Sequence, residues 1–226
     1  DGKTYYIPTS SNLVDENIHW EIVTGFDVGF ESLLFDRRLA VELGFFTKTT
    51  SDLLAFVAPP ISVGAGYAIT NAGSIRNSGI EYIFTWNDKI GDFTYGISTN
   101  GATLNNKVLS LGNDDSDIVT GKYHRTSVGH SVGALYGYVQ DGIFQNQQEI
   151  DNYYPASWAS IPGDIRYKDL DGDGEITNKD RDFIGSSIPT FTYGFNLNGG
   201  YRNFDMAIDF NGVYGNQIVN TKKLPT

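Results

Sequence analysis

The residues with the most chemistry in them are six oxygen-bearing side chains spaced along D-L-D-G-D-G-E-I-T-N-K-D. Asp169, Asp171, Asp173, Glu175, Thr177 and Asp180 take positions 1, 3, 5, 7, 9 and 12 of that stretch, and Gly174 takes position 6. Hard oxygens converging from alternate positions suit Ca²⁺, and the glycine allows the sharp bend that brings them together. A structural calcium ion is expected, held by the side chains of Asp169, Asp171, Asp173 and Asp180 and by the Glu175 carbonyl. Asp at position 12 has a shorter arm than Glu for bidentate contact, which points to weak binding, ~10⁻⁴–10⁻³ M as in extracellular modules. The plainer reading of the same residues is a solvated acidic turn.

What flanks the loop decides its setting. A calcium sensor of the helix-loop-helix kind needs amphipathic helices on both sides. Downstream the chain reads T-F-T-Y-G-F-N-L-N instead, with Phe191, Tyr193, Phe195 and Leu197 alternating against Thr192, Gly194, Asn196 and Asn198. Period two means a strand, so the loop is a clip between β elements.

Composition agrees with a β-rich chain. Tyrosine and phenylalanine number 14 each among 226 residues and glycine 26, with few long aliphatics. The net charge of −11 disfavours nucleic acid as a partner. No cysteine is present, and His19, His124 and His130 stand at no metal-ligand spacing. No apolar run approaches the ~18 residues of a membrane helix. The opening DGKTYYIPTS has neither the basic start nor the apolar core of a secretory leader. A β-barrel is invisible to such hydropathy tests, because its strands alternate.

Three hairpins emerge in order, after a polar stretch over residues 1–19. In the first, Trp20, Ile22, Thr24, Phe26, Val28 and Phe30 alternate with Glu21, Asp27 and Glu31, and the chain returns through Leu39, Val41, Leu43 and Phe45 against Glu42 and Lys48. The second pairs a strand from Ile80 to Trp86 with one from Phe93 to Thr99, around a turn at 87–92. The third runs from Thr190 to Asn198, turns over 199–203, and returns through Phe204, Met206, Ile208 and Phe210. Long segments separate the hairpins, over 49–79 and about 101–189. Tight turns at one end and long loops at the other are the habit of outer-membrane barrels. Phe35, Trp86, Phe93, Tyr201 and Phe204 gather beside the tight turns, as an interfacial girdle would. The expected fold class is all-β, an antiparallel transmembrane β-barrel segment of about six strands with long extracellular loops. Phe26, Val28, Leu43, Tyr82, Phe195 and Ile208 are expected to face lipid, and Asp27, Glu42, Glu81, Asn196 and Asp209 the lumen.

Three segments carry a resemblance to a known family: NAGSIRNSGIE (71–81), VGALYGYVQDGIFQNQQEI (132–150) and GDIRYKDLDGDGEITNKDRDFIGSSIPTFTYGFNLNGGYRNFD (163–205). With HWEIVTGFDVGFESLLFDRRLAVELGFFTKTTSDLL upstream, they resemble the SusC/RagA family of TonB-dependent outer-membrane transporters of Bacteroidetes. The likeness covers nearly all of residues 15–220. It implies part of a large plugged barrel, import of an oligosaccharide or peptide, a SusD-like surface lipoprotein as a lid, and drive from the TonB complex through an N-terminal part. It also implies that residues 1–226 are barrel only, with no plug domain, and so a piece of a longer polypeptide, since six open strands leave two unpaired edges in lipid.

No catalytic constellation stands out. The chain has no G-x-S-x-G and no H-E-x-x-H, and nothing places two carboxylates at a glycosidase separation. An enzyme is not expected. The competing reading is a secreted, calcium-stabilised β-sandwich serving as an adhesin or carbohydrate-binding module, with Tyr153, Tyr154 and Trp158 as sugar-stacking residues. In either setting those three, and Tyr136, Tyr138, Ile143 and Phe144, are expected to pack a long loop internally.

Overall fold

The computed structural model describes residues 13–14, 18–57, 68–71, 73–112, 115–153 and 160–220. The chain runs through β1 (Leu13–Val14), β2 (Ile22–Leu34), β3 (Leu39–Ser51), β4 (Leu54–Val57), β5 (Ala68–Asn71), β6 (Ser74–Ile90), β7 (Phe93–Thr103) and β8 (Asn105–Ser110). An outer section follows, built of β9 (Ile118–Thr120), β10 (His124–Thr126), β11 (Ala134–Tyr138), β12 (Gln140–Ile143), α1 (Gln147–Tyr153), β13 (Ile165–Tyr167) and β14 (Arg181–Gly185). The chain then returns through β15 (Phe191–Tyr201) and β16 (Phe204–Tyr214).

The six long strands form one wall in the order β16-β15-β7-β6-β3-β2, every neighbour antiparallel. Their sequences alternate with period two, so each strand offers one apolar and one polar side, and register decides whether those sides line up. Tight turns join the hairpins at Phe35–Arg38, Gly91–Asp92 and Arg202–Asn203. The first turn carries three successive residues in the left-handed region, Phe35, Asp36 and Arg37 at φ 54°, 56° and 66°. That costly conformation is held by Arg38 N–H donating to the Phe35 carbonyl at 3.2 Å and by the Arg38–Asp88 ion pair at 3.3 Å. At the opposite end, Leu104 N–H donates to the Thr190 carbonyl at 2.9 Å, so β7 and β15 lie side by side although the whole outer section separates them in sequence.

The strands extend beyond the expected limits in three places. β6 begins at Ser74 rather than Ile80, because the polar run Ser74–Ser78 is paired to β3 and to β8 at once and needs no apolar side. β6 also continues to Ile90, and β15 to Tyr201, leaving two-residue turns of the kind hairpins favour. The segment 101–189 is not a bare loop: β7 reaches Thr103, β8 adds to the wall, and the remainder folds on itself.

That outer section, together with Val108 of β8, holds the side chains most fully withdrawn from water. Its four-stranded sheet runs β14-β11-β10-β9, and β12 pairs with β13. Phe144, Ile150 and Ile176 form a buried cluster covered by Tyr138, Tyr153 and Tyr167. The wall is different. Phe26 is 60% exposed and Phe210 59%, and among the described residues no second sheet covers its apolar side. A sandwich would bury that side as its core, so the sandwich reading fails.

Candidate functional site

Register sorts the wall into two faces. Val28 lies opposite Phe45, Leu43 opposite Phe30 and Tyr82, and Phe84 opposite Val41 and Thr99. Thr99 lies opposite Phe195, Phe195 opposite Phe210, and Leu197 opposite Ile208. Phe26, Val28, Leu43, Tyr82, Phe195 and Ile208 therefore share one continuous face. Asp27, Glu42, Glu81, Asn196 and Asp209 all fall on the other.

The apolar face has the dimensions of a bilayer. From Phe204 to Tyr214 is ten steps between residues, ~33 Å along a strand at ~3.3 Å each, and a tilt of ~40° reduces this to ~25 Å, the height of an outer-membrane apolar band. Aromatic rings mark both limits. At the tight turns Phe35 and Trp86 lie 6.1 Å apart and Phe204, 81% exposed, sits opposite Tyr201. At the far limit Phe191 stacks on Tyr193 at 5.7 Å and Phe191 lies opposite Tyr214.

The polar face divides into an acidic part and an amide part. On β2, β3 and β6, Glu31 lies directly opposite Glu42 and Glu81 opposite Gly44. These three carboxylates line a cleft of about 210 Å³ whose floor is Gly29 and Gly44. On β7, β15 and β16 amides and hydroxyls predominate, with Asp205 and Asp209 of β16 among them. Asn198 donates to Asn196 at 3.1 Å, Asn196 donates to Asp209, and Thr85 and Ser98 share a hydrogen bond at 3.0 Å.

The candidate metal residues divide three and two. Asp169, Asp171 and Asp173 each bring a carboxylate oxygen within 4.8 Å of the others. Gly172 and Gly174, at φ 74° and 84°, provide the bends that bring them together. Asp169 also accepts from the N–H groups of both glycines, at 2.6 and 2.9 Å. Asp180 points back into the loop, fully covered, with its oxygens accepting from Leu170 N–H at 2.8 Å and Thr177 N–H at 2.6 Å. Those donors, Thr177 first, hold its pKa below the ordinary 3.8. Together with Thr177 it closes a capping box on a single 3₁₀ turn. Glu175 contributes its backbone N–H to Asp173 at 2.9 Å. The ammonium of Lys179 was not anticipated. It lies 3.4 Å from Asp171 and 3.6 Å from Asp173, and those carboxylates, Asp171 foremost, raise its pKa. The segment then enters β14, paired to β11, rather than joining β15 directly.

Loop aromatics mostly pack internally. Phe144 is buried, Tyr153 meets it edge-on at 5.8 Å, and burial raises the Tyr153 pKa. Ile143 departs from the expectation: it is 47% exposed, opposite Ile165 in the β12–β13 pair. Tyr154 and Trp158 lie outside the described residues. Sequence reasoning also missed Arg125 and Arg181, whose guanidinium groups lie 3.7 and 5.0 Å from the Tyr136 ring. No local spacing signals that contact.

A sheet apolar over one bilayer thickness, polar on the reverse, turned tightly at one end and looped at the other is outer-membrane β-barrel wall. Residues 2–219 match the family described as TonB dependent receptor-like, beta-barrel, and the chain belongs to that family. It is 33% identical over 219 residues to TonB-dependent receptor P3 of Formosa agariphila, covering 93% of this chain and 22% of that protein. It is 25% identical to TonB-dependent receptor SusC of Bacteroides thetaiotaomicron, covering 96% and 22%. The structure of the RagAB peptide transporter superposes with a TM-score of 0.70 at 19% identity, over 89% of this chain and 22% of that one. The chain thus spans about a fifth of the length of these relatives, and as a member of the TonB-dependent receptor family it resides in the outer membrane.

Proposed function

We propose that the full-length protein imports a large nutrient, an oligosaccharide or a peptide, lidded by a SusD-like surface lipoprotein and driven by the TonB complex. The observation that carries this reading is the wall's register, which puts carboxylates and amides together on the face turned from lipid. A polar lumen bounded by tight periplasmic turns and a folded outer section suits passage of a polar solute. The fold the chain shares with the RagAB peptide transporter supports the peptide side of that substrate class. Because Leu104 and Thr190 are already hydrogen-bonded neighbours, the outer section can be excised from the full-length protein and its ends joined by a short turn. The excised form should still insert, yet lose both uptake and the co-purifying lipoprotein. Unchanged uptake, or full-length protein recovered from native membranes with no surface lipoprotein, would refute the proposal.

The outer section holds a structural Ca²⁺ at Asp169, Asp171 and Asp173, with the Glu175 carbonyl completing the set and Asp180 as the remaining candidate ligand. Supporting this, Ca–O bonds of ~2.4 Å place ligands on opposite sides of one ion up to ~4.8 Å apart, and the three carboxylates meet that limit. Ile176, inside the same loop, belongs to the buried cluster with Phe144 and Ile150, so an ion there fastens the loop to the outer core. Calcium titration of the full-length protein showing no binding at millimolar concentration would sink this.

A further inference from the structure

We propose that the outer section carries a binding site for an acidic saccharide, a sugar ring bearing a carboxylate, sulfate or phosphate group. The site is the face of the β14-β11-β10-β9 sheet that holds Arg125, Arg181 and Tyr136. Strand pairing assembles it: Tyr136 lies opposite Phe183, Tyr138 lies opposite Arg181, and Tyr136 N–H donates to the Tyr123 carbonyl at 2.9 Å. The Arg125 guanidinium sits 3.7 Å from the centre of the Tyr136 ring; that of Arg181 sits 5.0 Å from the same ring and 5.8 Å from Tyr138. Lys122 adds an ammonium 5.3 Å over Tyr123.

Charge balance points to an anion. Among the described residues, Asp117, 3.2 Å from Arg125 Nη1, is the one carboxylate paired with these three cations. Arg181 spends Nη2 on the carbonyls of Lys122 and Tyr136, at 3.2 Å each. The Nε–H groups of both arginines are covered and meet no acceptor, so ring faces set the guanidinium planes. Arg125 Nη2 and Arg181 Nη1 therefore keep donors without acceptors among the described residues, one from each guanidinium, for the oxygens of a carboxylate, sulfate or phosphate. Tyr123, half-buried with the Lys122 ammonium 5.3 Å from its ring centre, offers a ring surface for the carbon face of a sugar.

The site acts at the rim. The wall's polar face sets Asp27, Glu31, Glu42 and Glu81 against Lys48, which repels the same anion along the lumen. The inference rests on the outer section being extracellular, as the transporter reading requires, and on no particular cargo. Two sources carry this chemistry: a free acidic oligosaccharide, or the sugar portion of a glycolipid in the outer leaflet.

The test uses the full-length protein in lipid nanodiscs. Oligogalacturonate and neutral maltoheptaose are titrated at about 20 and about 200 mM salt, which differ strongly in screening. Vesicles containing phosphorylated lipid A form a separate arm. Oligogalacturonate should bind, weaken at the higher salt, and weaken about tenfold or more in R125Q, while maltoheptaose should be indifferent to both. Because Arg125 also holds Asp117, K122E at an exposed position provides a second variant, expected to weaken acidic binding several-fold with thermal unfolding unchanged. Binding of the lipid A vesicles alone, lost in R125Q, supports the site and names the glycolipid source. Equal binding of neutral and acidic oligosaccharides, indifference to both R125Q and K122E, or capture of polyglutamate in place of either saccharide source would overturn the proposal. Loss of uptake in the excised form tests the transporter reading separately, so the two can fail independently.

Discussion

Positions 43 and 44 of β3 make the sharpest test of the wall, because they share a depth and differ only in face. Leu43 lies four residues from the turn end at Leu39, ~13 Å along the strand and ~10 Å above the girdle at ~40° tilt, well inside an apolar band of ~25 Å. It stands between Phe30 and Tyr82 on the apolar face. Gly44 stands between Gly29 and Glu81 on the polar face, and a side chain there would first meet Glu81 at 3.9 Å, an ordinary contact. Leu43→Arg forces a charge toward lipid near mid-membrane and should cost ~2–4 kcal/mol, a roughly thirty- to nine-hundredfold change in the folding equilibrium. Gly44→Arg places the same charge in water beside a carboxylate and should stay within ~0.5 kcal/mol. Guanidinium unfolding of the full-length protein in lipid vesicles, followed by tryptophan fluorescence, measures both. Equal losses at 43 and 44, or the larger loss at 44, would refute the assignment of faces.

Three further outcomes follow from the geometry. Removing the Lys179 ammonium that lies on Asp171 and Asp173, as in Lys179→Gln, should strengthen calcium binding, whereas Asp171→Ala should abolish calcium-dependent protection of residues 163–185 from protease without unfolding the barrel; unchanged calcium affinity in Lys179→Gln would show that the ammonium and the ion do not compete. On the apolar face the Tyr82 ring lies over Gly101, where an added methyl would meet it at 2.6 Å, and the Tyr193 ring covers Gly212 in the same manner; Gly101→Ala and Gly212→Ala should each cost ~1–3 kcal/mol through overpacking, read as a drop in the unfolding midpoint. Because the Asp180 pKa is lowered, its contribution is present above 3.8 and is lost as pH falls through its folded value, so the protection of amides 169–181 relative to their intrinsic exchange rate at each pH should hold at pH 4 and fall below it, and a fall already between pH 6 and 5 would be inconsistent with this account.

The wall was legible because a barrel strand encodes its own orientation. Each strand must satisfy lipid on one side and water on the other, so period two survives residue by residue, and Phe195 against Asn196 is enough to assign both faces. Strand ends were less legible for a related reason. Beyond the bilayer neither side must be apolar, so Ser74–Ser78 carries no alternation although it is paired on both flanks. The convergence of Asp169, Asp171 and Asp173 was legible because it is local, set by spacing and two glycines. Asp180 was assigned from position alone, and position could not reveal that the backbone of its own loop, through Leu170 and Thr177, presents donors that turn the side chain inward.

The outer section shows where sequence periodicity stops being informative. Its stability comes from contacts between distant positions: β11 pairs with β14 some 45 residues on, and the Arg181 guanidinium donates through Nη2 to the Tyr136 carbonyl across the same gap. Such contacts leave no repeat, since each strand is three to five residues long and its faces are covered unequally by turns and by α1. Long-range pairing also makes the section depend on whatever fastens its ends. The barrel fastens one boundary through Leu104 and Thr190. The loop at 169–180 fastens the other, because Ile176 is in the core while Asp180 immediately precedes β14. Loosening that loop should therefore disturb β14 first, and with it Arg181 and the face it shares with Tyr136, before any strand of the wall. If Asp171→Ala left oligogalacturonate binding and β14 hydrogen exchange unchanged while calcium binding was lost, the loop and the sheet would be mechanically independent, and the ion would fasten only its own turn.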